Sequence, residues 1–169
     1  MKILRKFTSV LLSLVLLTAL TACGGAAEAP AGDLSCTLTI SCETILDNLA
    51  ELTEGKEALV PEDGVLLETT EVYFSQGESV FDILLREMQS RKIHMDFSTS
   101  PVYESAYIEG IGNLYEFDCG ALSGWMYSVN GVYPDYGVSK YYPQEGDDIR
   151  FNYTCDLGRD LGQEWVEQQ

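Results

Sequence analysis

The sequence predicts an α+β domain, a mixed sheet of about five strands with one main helix packed across it. Three observations predict it. Residues 36–42 and 149–155 alternate apolar and polar side chains with a period of two, the pattern of strands with one buried face. Between them, Val80, Phe81, Leu84, Leu85 and Met88 recur on one helical stripe. Asn130-Gly131 stands between two apolar runs, and both residues tolerate positive φ, as a tight hairpin requires.

Each element follows from its own residues. In strand 36–42, Leu38 and Ile40 face one side and Thr37, Thr39 and Ser41 the other. Residues 43–52 read as a short helix, with Ile45, Leu46, Leu49 and Leu52 on one face. A polar, turn-rich stretch over 54–64 leads to two extended segments, 65–67 and 71–74. Ser79 then caps a helix over 79–91, with Asp82 reaching back as in a capping box. Asp82–Arg86 and Glu87–Arg91 are spaced as i,i+4 ion pairs. Arg91 and Lys92 sit where the helix dipole favours positive charge. Residues 93–97 read as a strand, Tyr107-Ile108 as extended, and Gly110 and Gly112 as a bend. Residues 123–129 lead into the Asn130-Gly131 hairpin and on to Val132-Tyr133, and Glu145-Gly146-Asp147 is a further turn. In the last strand Ile149, Phe151 and Tyr153 share one face. The first and last strands carry the purest alternation. They are therefore placed centrally and parallel, a β-grasp-like arrangement.

The domain is expected to occupy residues 34–157, with an acidic tail over 158–169 onto which Leu161 and Trp165 can dock. Residues 1–22 read as a signal peptide to be set aside from the fold. Lys2, Arg5 and Lys6 give it a positive start, and residues 10–20 are apolar except for Ser13 and Thr18. At about 1.5 Å per residue that run is too short to cross about 30 Å of hydrocarbon. Leu20-Thr21-Ala22-Cys23 resembles the lipobox of bacterial lipoproteins, in which the thiol carries lipid. The resemblance implies cleavage before Cys23, acyl chains on that cysteine, and a chain tethered to the extracytoplasmic face of a cell membrane. Residues 24–33 are small and polar, a flexible spacer.

Charge narrows the partners. The net charge is −17, and removing the three positive charges of residues 1–22 makes it −20. The remaining Lys and Arg are scattered, so no nucleic-acid partner is expected, nor direct attraction to anionic head groups. Four cysteines besides Cys23 (Cys36, Cys42, Cys119 and Cys155) suggest two disulfides in an oxidising compartment. Six residues of strand hold Cys36 and Cys42 about 20 Å apart, against the roughly 7 Å a disulfide allows. A Cys119–Cys155 bond would leave those two unpaired. The reading is Cys42–Cys155 with Cys36–Cys119, since Cys42 and Cys155 both end predicted strands.

No catalytic centre and no metal site are read. His94 is the only histidine, with no supporting residues near it in sequence, and is taken as a half-exposed strand residue. The cysteines lack C-x-x-C spacing. Asp147, Asp148, Asp156 and Asp160 do not follow a calcium-loop pattern. No Gly-rich phosphate loop is present, and no one carboxylate pair stands out in so acidic a chain. The protein is therefore expected to be a non-enzyme. Aromatic density is the positive signal. Tyr103, Tyr107, Tyr115, Trp125, Tyr127, Tyr133, Tyr136, Tyr141, Tyr142 and Tyr153 crowd the later part of the chain. Each buried phenol needs a partner. The stretch 133–142, with Pro134 and Gly137 and with Pro143 after it, reads as a loop that displays some of them.

The run Gly77-Glu78-Ser79-Val80-Phe81-Asp82-Ile83-Leu84, the run Ser123-Gly124-Trp125-Met126-Tyr127-Ser128-Val129-Asn130-Gly131, Gly137-Val138-Ser139 and Gly146-Asp147-Asp148-Ile149 resemble bacterial domains grouped with the C-terminal domain of transcobalamin and intrinsic factor. The resemblance spans residues 36–155 and implies a β-grasp-like fold. In the animal carriers this domain closes over cobalamin with the help of a large helical domain, and none is read here. By position the resemblance implies a ligand site at Trp125, Tyr127 and the loop from Gly137 to Tyr141. With the Tyr-rich loop, the expected ligand residues are Trp125, Tyr127, Tyr133, Tyr136, Gly137, Val138 and Tyr141. No resident cofactor is expected. The expected ligand is cobalamin, another corrinoid, or a flat or amphipathic small molecule. An interaction module for an envelope transporter, a surface protein or a glycan is the alternative.

Overall fold

The computed structural model describes residues 32–100 and 104–163. The expected signal segment, Cys23 and most of the expected spacer lie outside these residues, as do Tyr103 and Trp165. The chain runs through β1 (Leu34–Ser41), a one-turn helix α1 (Glu43–Leu46), β2 (Val65–Phe74), α2 (Val80–Arg91), β3 (Met95–Ser100), β4 (Ser105–Ile111), β5 (Leu114–Tyr115), β6 (Gly124–Val129) and β7 (Asp148–Thr154). Short 3-10 turns lie at Leu49–Glu51, Glu57–Leu59, Val138–Lys140 and Arg159–Leu161.

The larger sheet has the order β2-β1-β7-β6. At its centre β1 and β7 run parallel, with Leu38 opposite Ile149 and Ile40 opposite Phe151. β2 and β6 flank them, both antiparallel to their neighbours. The fold is α+β with the first and last strands central, as their alternation predicts. The single sheet of about five strands is corrected. A second sheet, β3-β4-β5, stands apart from the first. β4 pairs along β3, then turns through Gly112 and Asn113, at φ 63° and 65°, to pair β5. This segment satisfies much of its own ladder and has less need to join the larger sheet. Period-two alternation marks a strand without saying which sheet takes it.

One core serves both sheets and α2. Leu38, Ile40, Ile149, Phe151 and Tyr153 are at most 1% exposed, on the face that alternation assigned to them. Val80, Ile83, Leu84 and Met88 of α2 join the same cluster. The opposite face of the sheet is polar: Thr37 donates to Asp148 and Thr39 hydrogen-bonds Thr69. Among the described residues no helix is long and apolar enough to cross a membrane.

The start of α2 matches its sequence. The Ser79 hydroxyl accepts from Asp82 N–H, and the Asp82 carboxylate accepts from Ser79 N–H. That engagement overturns the expected Asp82–Arg86 pair. Arg86 instead pairs with Glu78 and donates to the Tyr73 carbonyl. The Glu87–Arg91 pair forms at 3.2 Å.

Other expectations are refined. The helix expected over 43–52 is α1 followed by a 3-10 turn. The Asn48 amide donates to the Thr44 carbonyl at 2.8 Å, as an asparagine does where a helix gives way. The two segments at 65–67 and 71–74 are one strand, β2, whose register against β1 shifts on either side of Ile40. Asn130 and Gly131 turn at φ 53° and 77°, and Val129 and Val132 exchange backbone hydrogen bonds. The return arm ends there: Val132-Tyr133 is one bridge, not a strand. Residues just past β7 fold back, with Leu157 N–H donating to the Leu122 carbonyl and Asp160 accepting from Cys155 N–H. Leu161 is half-buried there.

No disulfide joins Cys36, Cys42, Cys119 and Cys155 in the structure. The arrangement corrects the expected pairing. Cys36 lies opposite Val72 near the start of β1, whereas Cys119 bridges to Leu52, which follows the other end of that strand. The β1–β7 register sets Ser41 against Asn152, so Cys42 comes level with Tyr153, two residues short of Cys155. Cys155 comes beside Cys119 instead, and each thiol bears on the proton affinity of the other.

Candidate functional site: a cleft between two strand edges

β6 is the outer strand of the larger sheet, and β4 of the smaller sheet approaches it. Between them lies a cleft of about 180 Å³, lined by Ala106, Tyr107 and Ile108 of β4, Trp125, Met126 and Tyr127 of β6, Phe151, and Tyr133, Pro134, Gly137 and Val138 of the following loop. None of these side chains carries a formal charge at neutral pH. A wider cleft of about 520 Å³ adjoins it, sharing Tyr133 and Pro134 and adding Val129, Asn130, Val132, Asp135, Tyr136 and Tyr141. All seven expected ligand residues line one or both clefts.

The loop is clamped onto β4 by small residues. The Ser139 hydroxyl accepts from Ala106 N–H at 3.0 Å and hydrogen-bonds the Ser105 hydroxyl at 2.9 Å. Gly137 allows that approach, since a Cβ there would stand 1.9 Å from the Ser105 hydroxyl oxygen. Val138, 4% exposed, is the loop's apolar foot in the core.

The rings divide into fixed and accessible groups. Trp125 is 7% exposed, donates its indole N–H to the Leu114 carbonyl at 2.8 Å, and meets Tyr153 edge-on. Tyr127 is 9% exposed, donates its hydroxyl to the Tyr136 carbonyl at 2.7 Å, and stacks near Phe151. These two are walls held in place: they line the cleft but turn little ring face to solvent. Tyr133 and Tyr141 are half-buried, Tyr136 is exposed, and Tyr136 stacks on Tyr141 with centroids 5.9 Å apart. Burial, first of all causes, raises the Tyr127, Tyr133 and Tyr141 phenols above their ordinary range. They stay protonated at neutral pH and can donate hydrogen bonds beside an apolar surface.

Sequence reasoning missed the β4 wall. Ala106 and Ile108 show only weak alternation, and nothing local reveals that β4 comes to lie against β6. The signal available was Tyr107, one of the crowded aromatics; its hydroxyl donates to Glu116 at 2.6 Å. His94, expected as a half-exposed strand residue, stands exposed just before β3. Its Nε2 lies 2.8 Å from the Tyr115 hydroxyl and 3.1 Å from Asp96. Hydrogen bonds from Tyr115, then from His94, hold the Asp96 carboxyl below its ordinary range. Asp147 and Asp148 precede or open β7, while Asp156 and Asp160 follow it, so the strand keeps those carboxylates in two separate pairs. Among the described residues no group of His, Cys, Asp and Glu is arranged to hold a metal ion.

Residues 77–155 match the family model described as "Domain of unknown function (DUF4430)". Haptocorrin in complex with Cbi superposes with a TM-score of 0.53 at 12% identity, over 73% of this chain and 25% of haptocorrin. The chain thus spans about a quarter of the haptocorrin length, and the likeness is one of fold: the domain is transcobalamin-like. A Ruminococcus gnavus ATCC 29149 protein, provisionally described as metal binding, aligns over 72% of this chain and 97% of its own, at 11% identity and a TM-score of 0.45. No curated protein matches the chain in sequence.

Proposed function

We propose that this transcobalamin-like chain is a membrane-tethered extracytoplasmic lipoprotein that binds a small molecule, flat or amphipathic, and catalyses no reaction. The observation that carries the binding reading is the convergence of the seven expected ligand residues on two adjoining clefts, the inner one uncharged. The volumes say how a ligand would sit. About 150 Å³ of apolar cavity takes one benzene ring, so the 180 Å³ inner cleft suits one ring or a short aliphatic arm. The 520 Å³ outer cleft lies in the range of small-molecule sites. A corrinoid, the candidate that the fold neighbour haptocorrin suggests, would lie across the outer cleft with one projecting group inserted. Tyr133, common to both clefts, and the exposed Tyr136 would supply contact and hydroxyl donors.

Titration of the soluble domain with cobalamin, followed by calorimetry and aromatic fluorescence, tests this. Saturable heat with an emission change is expected, weakened about tenfold in Tyr133→Ala, the loss of roughly 1.4 kcal/mol of contact. No heat and no emission change at high micromolar cobalamin would remove corrinoids. The same silence from a panel of aromatic amphiphiles would remove the small-molecule reading. His94→Ala is expected to leave binding unchanged. For the tether, Cys23→Ala is expected to move the chain from the membrane to the soluble fraction and to abolish fatty-acid labelling.

A second reading has an observation of its own. β6 is an edge strand with β4 beside it, and an extended segment of a partner protein can add to such an edge. Capture of a specific envelope protein, lost on substituting Tyr136 and Tyr141, would favour it.

A further inference from the structure

We propose that Cys119 and Cys155 form a disulfide that fastens the segment before β6 to the end of β7, and that Cys36 and Cys42 remain thiols. Two distant parts of the chain bring the first pair together. Gly124 pairs with Thr154, which sets Cys155 one residue beyond the ladder. The Cys119 N–H donates to the Ser123 hydroxyl at 3.0 Å, folding Cys119 back toward the same place. Both sulfurs then reach the same short stretch at and just after α1. Cys119 Sγ donates to the Asn48 carbonyl at 3.4 Å, and Cys155 Sγ lies 3.8 Å from the Thr44 hydroxyl. Asn48 and Thr44 are themselves joined by a hydrogen bond. Cys36 and Cys42 have no such convergence. They stand at opposite ends of β1, about 20 Å apart by strand geometry, with Cys42 beside Gly64 and Cys36 across from Val72.

The bond has a structural purpose near the clefts. Tyr153, two residues before Cys155, packs edge-on against Trp125, the inner wall. Its hydroxyl donates to the Tyr115 carbonyl and hydrogen-bonds Ser123. A covalent link at Cys119–Cys155 would hold both sides of that contact.

The chemistry is exchange with a disulfide oxidant. One cysteine thiolate attacks a sulfur of a small-molecule disulfide such as oxidised glutathione, forming a mixed disulfide and expelling one glutathione thiolate. The second cysteine thiolate attacks the protein sulfur and expels the other. Two electrons pass to the reagent, and the two thiols give up their protons. The thiolate is the attacking form, and burial pushes the Cys155 thiol up to about 12 and raises Cys119. Exchange is therefore slow in the folded reduced protein, and the bond forms in the folding chain.

Peptide mapping of the full chain tests the pairing, after export to an oxidising compartment and alkylation at acid pH without reduction. One linked peptide pair containing Cys119 and Cys155 is expected, with Cys36 and Cys42 recovered as alkylated thiols. A linked peptide containing Cys36 or Cys42, or all four recovered as thiols, overturns the proposal. Reduction of the wild-type chain is expected to lower the melting temperature by on the order of 10 °C, from opening a loop of about 36 residues. The Cys36→Ala/Cys42→Ala variant is expected to show the same drop. A melting temperature unmoved by reduction overturns the fastening role.

Discussion

Buried phenols and thiols set how this protein responds to alkali. Tyr153 is 0% exposed and Tyr127 is 9% exposed, and burial is the leading cause that raises both phenols. Burial also lifts the Cys36 and Cys42 thiols from 9.0 to about 12. For each group the folded chain holds its proton more tightly than the unfolded chain. The stability this contributes is whole below the unfolded value and declines as pH rises from there toward the folded value. The melting temperature is therefore expected to fall as pH rises through about 9, where the unfolded thiols are half ionised, toward about 12. Phenolate absorbance from Tyr153 is expected only on unfolding. Complete phenolate formation in a still-folded protein would contradict this. At this scale the sequence was partly legible. It announced that the late aromatics needed partners, but not which would be buried. Trp125 and Tyr127 look in sequence like the neighbours of an open loop. Only the approach of β4 turns them into fixed walls, and that approach comes from tertiary pairing.

Elements were read best where local chemistry decides them. Ser79 and Asp82 cap α2 because the free N–H groups of a first turn need acceptors within three residues. Asn130-Gly131 turns because both residues take positive φ. Elements were read least well where a competing partner decides. Asp82, committed to the cap, leaves Arg86 to Glu78, and the two-residue offset in the β1–β7 register defeats an inference from where strands end. The clamp of the 137–139 loop on β4 belongs to this scale too. Gly137→Ala would drive a methyl group into Ser105, whose hydroxyl oxygen is 1.9 Å and Cβ 2.6 Å from the added carbon. With φ at −71° the backbone itself is unstrained, so the cost is contact alone. A loss of about 1–3 kcal/mol is expected, measured by urea unfolding. The loop should lift from β4 and the inner cleft should bind apolar dyes differently. An unchanged unfolding midpoint would show that the loop yields without cost.

For the whole molecule, the placement of the terminal strands was legible because β1 and β7 must each bury one face and alternate cleanly. The split into two sheets was not, since periodicity carries no address. The parallel β1–β7 ladder, in which Thr37 and Asp148 bond across 111 positions of chain, also gives the domain a mechanical character. Tension applied at the start of β1 and the end of β7 draws the two strands past each other lengthwise, so every rung resists at once. Tension applied at Ser41 and Thr154, which lie at the same end of the ladder, peels the rungs one after another. Single-molecule pulling in the two directions is expected to give a markedly higher rupture force in the first. A protein held at its leading end while its partner tugs from beyond the last strand would be loaded along its strongest axis.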